Sequence, residues 1–97
     1  MPLHHLSYQS TALLSVSKAT MQNLLAKSRA YNLAHEVSGM LLYRNGQFVQ
    51  VLEGEEPVLR ALYEKIRRDP RHTDVAVLVD EPLAKRKFGS WAMAYRQ

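Results

Sequence analysis

Two kinds of hydrophobic pattern alternate along the chain. Short stretches carry apolar residues at every second position or in brief unbroken runs, which is the signature of strands, and two longer stretches repeat them at helical spacing. Residues 3 to 10 alternate, with Leu6, Tyr8 and Ser10 on one face. Ser15 or Ser17 is then placed to cap a helix running to about Tyr31, with Met21, Leu24, Leu25 and Ser28 on one stripe. "VSGMLLY" predicts an apolar strand, "RNG" supplies Asn-Gly turn chemistry, and "QFVQVLEG" returns as the hairpin mate. A second helix begins near Glu55, Glu56 and Pro57, buries Val58, Leu59, Leu62 and Ile66, and stops at Asp69-Pro70. "TDVAVLVDE" is a further strand, "PLAKRKFGS" a connection, and "WAMAY" a last short strand with Trp91, Met93 and Tyr95 on one face.

The predicted order is βαββαβ plus one extra strand. Helices after the first and third strands, around a central hairpin, pack together on one face of a mixed, mainly antiparallel sheet. The expected fold is therefore α+β, a ferredoxin-like βαββαβ sandwich with an additional C-terminal strand, forming a single domain over residues 1–97. Its split pairing sets the first and third strands side by side. In the third strand Phe48, Gln50 and Leu52 share the face turned to the helices, and Val49 and Val51 share the other. An amide between apolar neighbours on an inward face costs about 1 to 3 kcal/mol unless its hydrogen bonds are met.

Composition narrows the function classes. The chain has no cysteine, which removes disulfides, thiolate chemistry and cysteine-containing metal sites and fits the cytoplasm. The amino-terminal "MPLHHLSYQS" has no signal-peptide stretch, and no run of eighteen apolar residues occurs, so no membrane association is expected. The formal charge of +4 invites a nucleic-acid partner. However, the basic residues fall in "EKIRRDPRH" and "AKRKF" rather than on one stripe, and Arg60, Glu64 and Arg68 are spaced as i,i+4 pairs of a solvated helix face. Nucleic-acid modules of this topology present aromatics on the open sheet face, whereas Val49 and Val51 stand there, so no direct nucleic-acid partner is expected. Those aliphatics point instead to a second copy or a downstream protein partner covering the open face. His4 and His5 point oppositely and His35 and His72 are distant, so no metal site is expected; the four glycines are isolated and form no phosphate loop.

Four polar residues remain for inward positions. Tyr8 and Gln50 lie on neighbouring strands, and Asn32 follows Ser28 by one helical turn. None is a strong base or an activated nucleophile. The set suits holding a planar, amide-bearing ligand better than hydrolysing one, so no enzymatic activity is expected. Each residue also has a plainer reading: Tyr8 as core packing, Asn32 as a helix C-cap, Ser28 bonded back to the Leu24 carbonyl, and Gln50 turned outward by a bulge. On residue types alone a flavin-free ferredoxin-like binding or oligomerisation module stands as the alternative.

The stretches "LSYQS", "AKSRAYN", "VSGMLLY", "GQFVQVLEG", "IRRDPRH" and "EPLAKRKFGSWAM", in this order over nearly the whole chain, resemble the BLUF domain, a flavin-binding sensor of blue light. The resemblance implies a noncovalent FAD with its isoalloxazine ring between the two helices and Asn32 and Gln50 bonded to its polar edge. It implies that Tyr8 is the photochemical electron and proton donor and that Ser28 helps line the ring site. Lys27, Arg29 and Arg71 or His72 are then candidates for the ribityl-phosphate side. In the implied photochemistry the phenol gives up an electron while its proton moves through Gln50. The flavin ends chemically unchanged but with Gln50 rotated or tautomerised, and the strand bearing Trp91 and Met93 is the readout. Tyr31 stands where members of the family commonly have a smaller polar residue or His, "VSG" replaces the more usual "ITG", and His5 replaces a frequent Arg. Because Tyr8, Gln50 and Asn32 are all present, those departures bear on recovery rate and adenine-side binding more than on photoactivity. Members often continue beyond the position of Gln97 into helices that cap the sheet or lead to an output domain, which would cover the outward aliphatics.

Overall fold

The computed structural model describes residues 2–13, 16–89 and 92–96. The elements are β1 (Leu3–Ala12), α1 (Lys18–Ala34), β2 (Ser38–Arg44), β3 (Gln47–Glu55), α2 (Glu56–Arg67), β4 (His72–Leu83) and β5 (Ala94–Arg96). They form one five-stranded sheet in the order β4-β1-β3-β2-β5. The first four strands pair antiparallel and β5 pairs parallel to β2, so the sheet is mixed, as expected for the ferredoxin-like α+β fold with an added strand. Tyr8 is the direct partner of Gln50 across β1 and β3, and Leu41 of β2 lies on the other side of Gln50. Register therefore brings the two polar residues together before any side chain is considered.

Local sequence explains the element ends. Ser17 caps α1, its Oγ accepting the Thr20 amide at 3.1 Å; Ser15, the other candidate, lies outside the described residues. The hairpin between β2 and β3 turns at Asn45 (φ 52°) and Gly46 (φ 79°), and two successive positive φ values match the twist of the strands they join. Pro57 stands in the first turn of α2, where a missing N–H costs nothing, with Glu56 beside it at the positive end of the helix.

Three expectations are corrected here. α1 continues past Tyr31 to Ala34, because the left-handed residue that ends it is Glu36 (φ 56°) and not Asn32. The Asn32 carbonyl instead accepts the amide of Val37 at 2.8 Å, which closes the turn. Arg60 does not pair with Glu64: it reaches Glu56 at 2.7 Å and Asp80 on β4 at 3.0 Å, while Glu64 pairs with Arg67 and Arg68. An Arg set between two carboxylates on its own side gains more than one facing a single solvated partner. The last strand is also shorter than "WAMAY": Met93 precedes β5, and Trp91 lies outside the described residues.

Leu6 of β1, Leu52 of β3 and Leu59 of α2 are fully buried and centre the core. α2 adds Leu62, with Val58 and Ile66 half-buried against the same cluster. By contrast α1 buries only Met21, Leu25 and Asn32. Leu24 and Ser28, which share its inner stripe, are half-buried and line a cavity, Leu24 packing against the edge of the core. On the other side of the sheet Val49 and Val51 are half-buried.

Candidate functional site

The space beside α1 is a cavity of about 310 Å³, in the range of small-molecule sites. Its floor is the sheet, with Tyr8, Leu41, Phe48 and Gln50; its walls are Leu24 and Ser28 of α1 and Leu62 and Ile66 of α2. Apolar surface dominates the lining, and polar groups enter at separate points. A flat, largely apolar ring with hydrogen-bonding edges is the ligand shape such a lining accommodates.

Tyr8 and Gln50 are both buried, at 4% and 7% exposure. The Tyr8 hydroxyl donates to Gln50 Oε1, and Gln50 Nε2 in turn donates to Met93 Sδ at 3.7 Å. Met93 is itself buried. A single amide thus joins a phenol on β1 to the segment just before β5. Burial, with smaller contributions from Tyr63 and Asp69, holds the Tyr8 phenol well above its ordinary pKa, so it keeps its proton at any working pH. Tyr63 of α2 also meets the Tyr8 ring edge-on, with centroids 5.8 Å apart.

Asn32 is inside α1, buried, and on the cavity wall. Its Nδ2 donates to the Ala92 carbonyl at 2.6 Å. Arg29, one turn earlier, donates from Nε to the Met93 carbonyl at 2.9 Å. Helix α1 therefore grips the same segment that Gln50 touches. Of the residues expected at the site, Tyr8, Lys27, Ser28, Asn32, Gln50, Arg71 and His72 all line the cavity. Arg29 does not, and its guanidinium is engaged with Met93 instead.

The rim opposite α1 is polar. Arg71 comes to it already paired, its guanidinium and amide bonded to Asp69 at 2.6 to 3.0 Å, which holds the Asp69 carboxyl below its usual range. His72 Nε2 lies 2.6 Å from the Ile66 carbonyl, and because a carbonyl only accepts, that nitrogen carries the hydrogen. In the neutral ring Nδ1 is then the acceptor for the Ser10 hydroxyl, 2.8 Å away. Sequence reasoning missed Ser10, Lys65 and Asp69, which line the cavity as well. Ser10 was legible as the position two beyond Tyr8 on the same face, and Lys65 as the neighbour of Ile66; Asp69 was read only as a helix stop. Tyr31, the noted departure, stacks on His35 with centroids 4.0 Å apart and carries the Lys65 ammonium 5.2 Å from its ring centre.

Comparison with known proteins shows the family and the fold. A family model described as "BLUF: Sensors of blue-light using FAD" matches residues 3–94. The photoactivated adenylate cyclase subunit beta of Euglena longa is 37% identical over 89 residues, which cover 91% of this chain and 10% of that protein. Among solved structures, BlrB, a BLUF protein in its dark state, superposes with a TM-score of 0.91 at 33% identity, over 97% of this chain and 71% of that one. BlrP1 of Klebsiella pneumoniae, with FMN and cyclic diGMP, gives a TM-score of 0.89 at 33% identity, over 97% of this chain and 25% of that one. The chain thus spans only a tenth of the curated relative's length.

Proposed function

The chain belongs to the BLUF family of blue-light sensors, and we propose that it works by holding FAD in the cavity beside α1 and converting light into a new hydrogen-bond pattern of Gln50. The observation that carries this reading is the unbroken chain from the Tyr8 hydroxyl through the Gln50 amide to Met93. The residues fit a flavin: apolar walls for the ring, the amides of Asn32 and Gln50 and the Ser28 hydroxyl for its polar edge, and Lys27, Lys65 and Arg71 for phosphate. The family description names FAD, which supports FAD as the flavin of this reading, while BlrP1 is described with FMN.

When bound, the flavin supplies an excited-state oxidant under blue light. Tyr8 is the donor, and because its phenol is kept protonated, loss of an electron is coupled to passage of the proton to Gln50 Oε1. The electron and proton would then return to Tyr8, leaving the Gln50 amide either rotated, with Nε2 toward Tyr8 and Oε1 toward Met93, or in its tautomeric form. A thioether accepts a weak hydrogen bond and cannot donate one, so a carbonyl turned toward Met93 Sδ has lost its partner there. That loss biases the Met93 segment, and with it β5, toward a second arrangement.

The domain itself does no catalysis on this reading. Its product is a conformation, passed to a downstream protein or an adjoining output region over the face of the sheet that carries Val49 and Val51. Absorption spectra of the purified protein provide the test. The expected result is a yellow protein whose flavin bands shift reversibly to the red under blue light and return in darkness. A colourless protein that takes up no added FAD overturns the reading.

A further inference from the structure

The face of the sheet turned away from the cavity holds a buried carboxylate that the scheme above does not use. Glu53 follows Gln50 by three residues on β3, so it points to the opposite face, and it is only 1% exposed. Its charge is met by three donors. Oε1 accepts from the Ser38 hydroxyl and the Phe88 amide, both at 2.9 Å, and Oε2 accepts from the Lys87 amide at 2.7 Å. Arg86 adds a cation: Nη1 donates to Ser38 Oγ at 2.8 Å and to the Glu53 carbonyl at 3.2 Å, and Nη2 donates to the Glu36 carbonyl at 2.7 Å. A carboxylate taken from water is held only if its lone pairs are satisfied, and here two of the three bonds come from the backbone of one loop.

That loop is the connection between Leu83 of β4 and Ala94 of β5, which leads to Met93. It is tied down twice. Its middle is clasped to Glu53; its end is held from the cavity side by Asn32, Arg29 and Gln50 through Ala92 and Met93. Only the second set includes Gln50. One residue of each set, Glu53 and Gln50, lies on β3, about 10 Å apart along the strand at three residues' rise. Building on the light-sensing reading, we propose that Glu53 is a positioning residue, a fixed clasp on residues 86–88 against which the Met93 end of the loop moves when Gln50 changes its bonds. Without the clasp the whole loop can follow Gln50 and the displacement is no longer confined to β5.

Amide hydrogen exchange on the flavin-loaded protein, in darkness and under continuous blue light, tests this without any substitution. The Lys87 and Phe88 amides should stay protected in both states, while those of Ala92 to Tyr95 exchange roughly tenfold faster in the light. Glu53→Gln sets an NH2 group against backbone donors. It should leave flavin content and the dark spectrum as in the parent, remove protection at Lys87 and Phe88, and shorten the lifetime of the red-shifted state about tenfold, the equivalent of one hydrogen bond to a buried charge. Arg86→Ala, which keeps the carboxylate, should act in the same direction with smaller effect and replaces Glu53→Gln if that variant does not fold. Equal light-induced deprotection at Lys87, Phe88 and Ala92 to Tyr95, or a yellow variant whose lifetime stays within about twofold of the parent, overturns the clasp while sensing survives. A parent protein that shows no reversible red shift overturns the sensing reading, and the clasp falls with it.

Discussion

At the scale of single residues, Tyr8 and Asn32 separate sensing from holding. Tyr8→Phe keeps nearly all the apolar area that packs in the core and against Tyr63 while removing the hydroxyl that donates to Gln50. The variant should therefore stay folded and yellow, and show no reversible red shift across a dark, blue-light and dark series of spectra; cycling like the parent would assign the donor role elsewhere. Asn32→Ala removes the donor to the Ala92 carbonyl but leaves Arg29 on Met93. It should lower the stability of the flavin-free protein by about 1 kcal/mol, the worth of one hydrogen bond, and weaken FAD retention by more than that loss explains. Melting curves of the apoprotein beside flavin titrations check both parts. Tyr8, Gln50 and Asn32 were legible because each is a polar residue in an otherwise apolar period. Glu53 was not, although it is the most buried charged residue of those described. Its position alternates with Leu52 on the sheet's open face, and its partners, Ser38 and the Lys87 and Phe88 amides, lie 15 to 35 residues away.

Elements whose signals are local came out of the sequence in the right order and nearly the right places. The β2–β3 hairpin is set by Asn45-Gly46, α2 by its acidic, Pro-bearing start, and the β1–β3 adjacency by the order βαββαβ itself. The misses come from tertiary contacts. Asn32 reads as a helix end, yet a carbonyl from the far end of the chain holds its side chain inside α1. β4 reaches Leu83 because β1 pairs with it along its length, with register shifts on either side of Tyr8 and Gln9 that no period reveals. Close approach of strands gives a sharp test of the sheet. A Cβ added at Gly39 of β2 would lie 2.0 Å from the Val51 carbonyl oxygen on β3, whereas one added at Gly54 first meets Leu59 Cδ2 at 3.4 Å. Gly39→Ala should thus cost about 3 kcal/mol or more, while Gly54→Ala stays within about 1 kcal/mol of the parent. Urea midpoints of the two variants measure the difference, and equal midpoints would mean that β2 and β3 are further apart than described.

For the molecule as a whole, the sheet edge formed by β4 depends on one carboxylate that joins three elements. Asp80 on β4 accepts two hydrogen bonds from Arg60 of α2, both at 3.0 Å, and lies 2.5 Å from Nε2 of the buried His4 on β1. Arg60 first, and His4 second, hold its carboxyl near pKa 2 against an ordinary 3.8. A carboxyl whose folded pKa is depressed binds its proton more readily when unfolded, so the unfolded state takes up more protons between these two values. The stability contributed by Asp80 is therefore fully present above about pH 4 and is lost as pH falls toward 2. The site is partly open to solvent, so salt screens it and the effect shrinks at high ionic strength. Asp80→Asn should lower the melting temperature at pH 6, and the gap to the parent should narrow steadily as both are melted at successively lower pH down to about 2.5. Because the cavity residues Tyr8, Gln50 and Asn32 make none of these contacts, the flavin spectrum of the variant should match the parent's at pH 6. A gap that stays constant with pH would show that Asn disturbs the packing of β4 and that the charge on Asp80 contributes nothing.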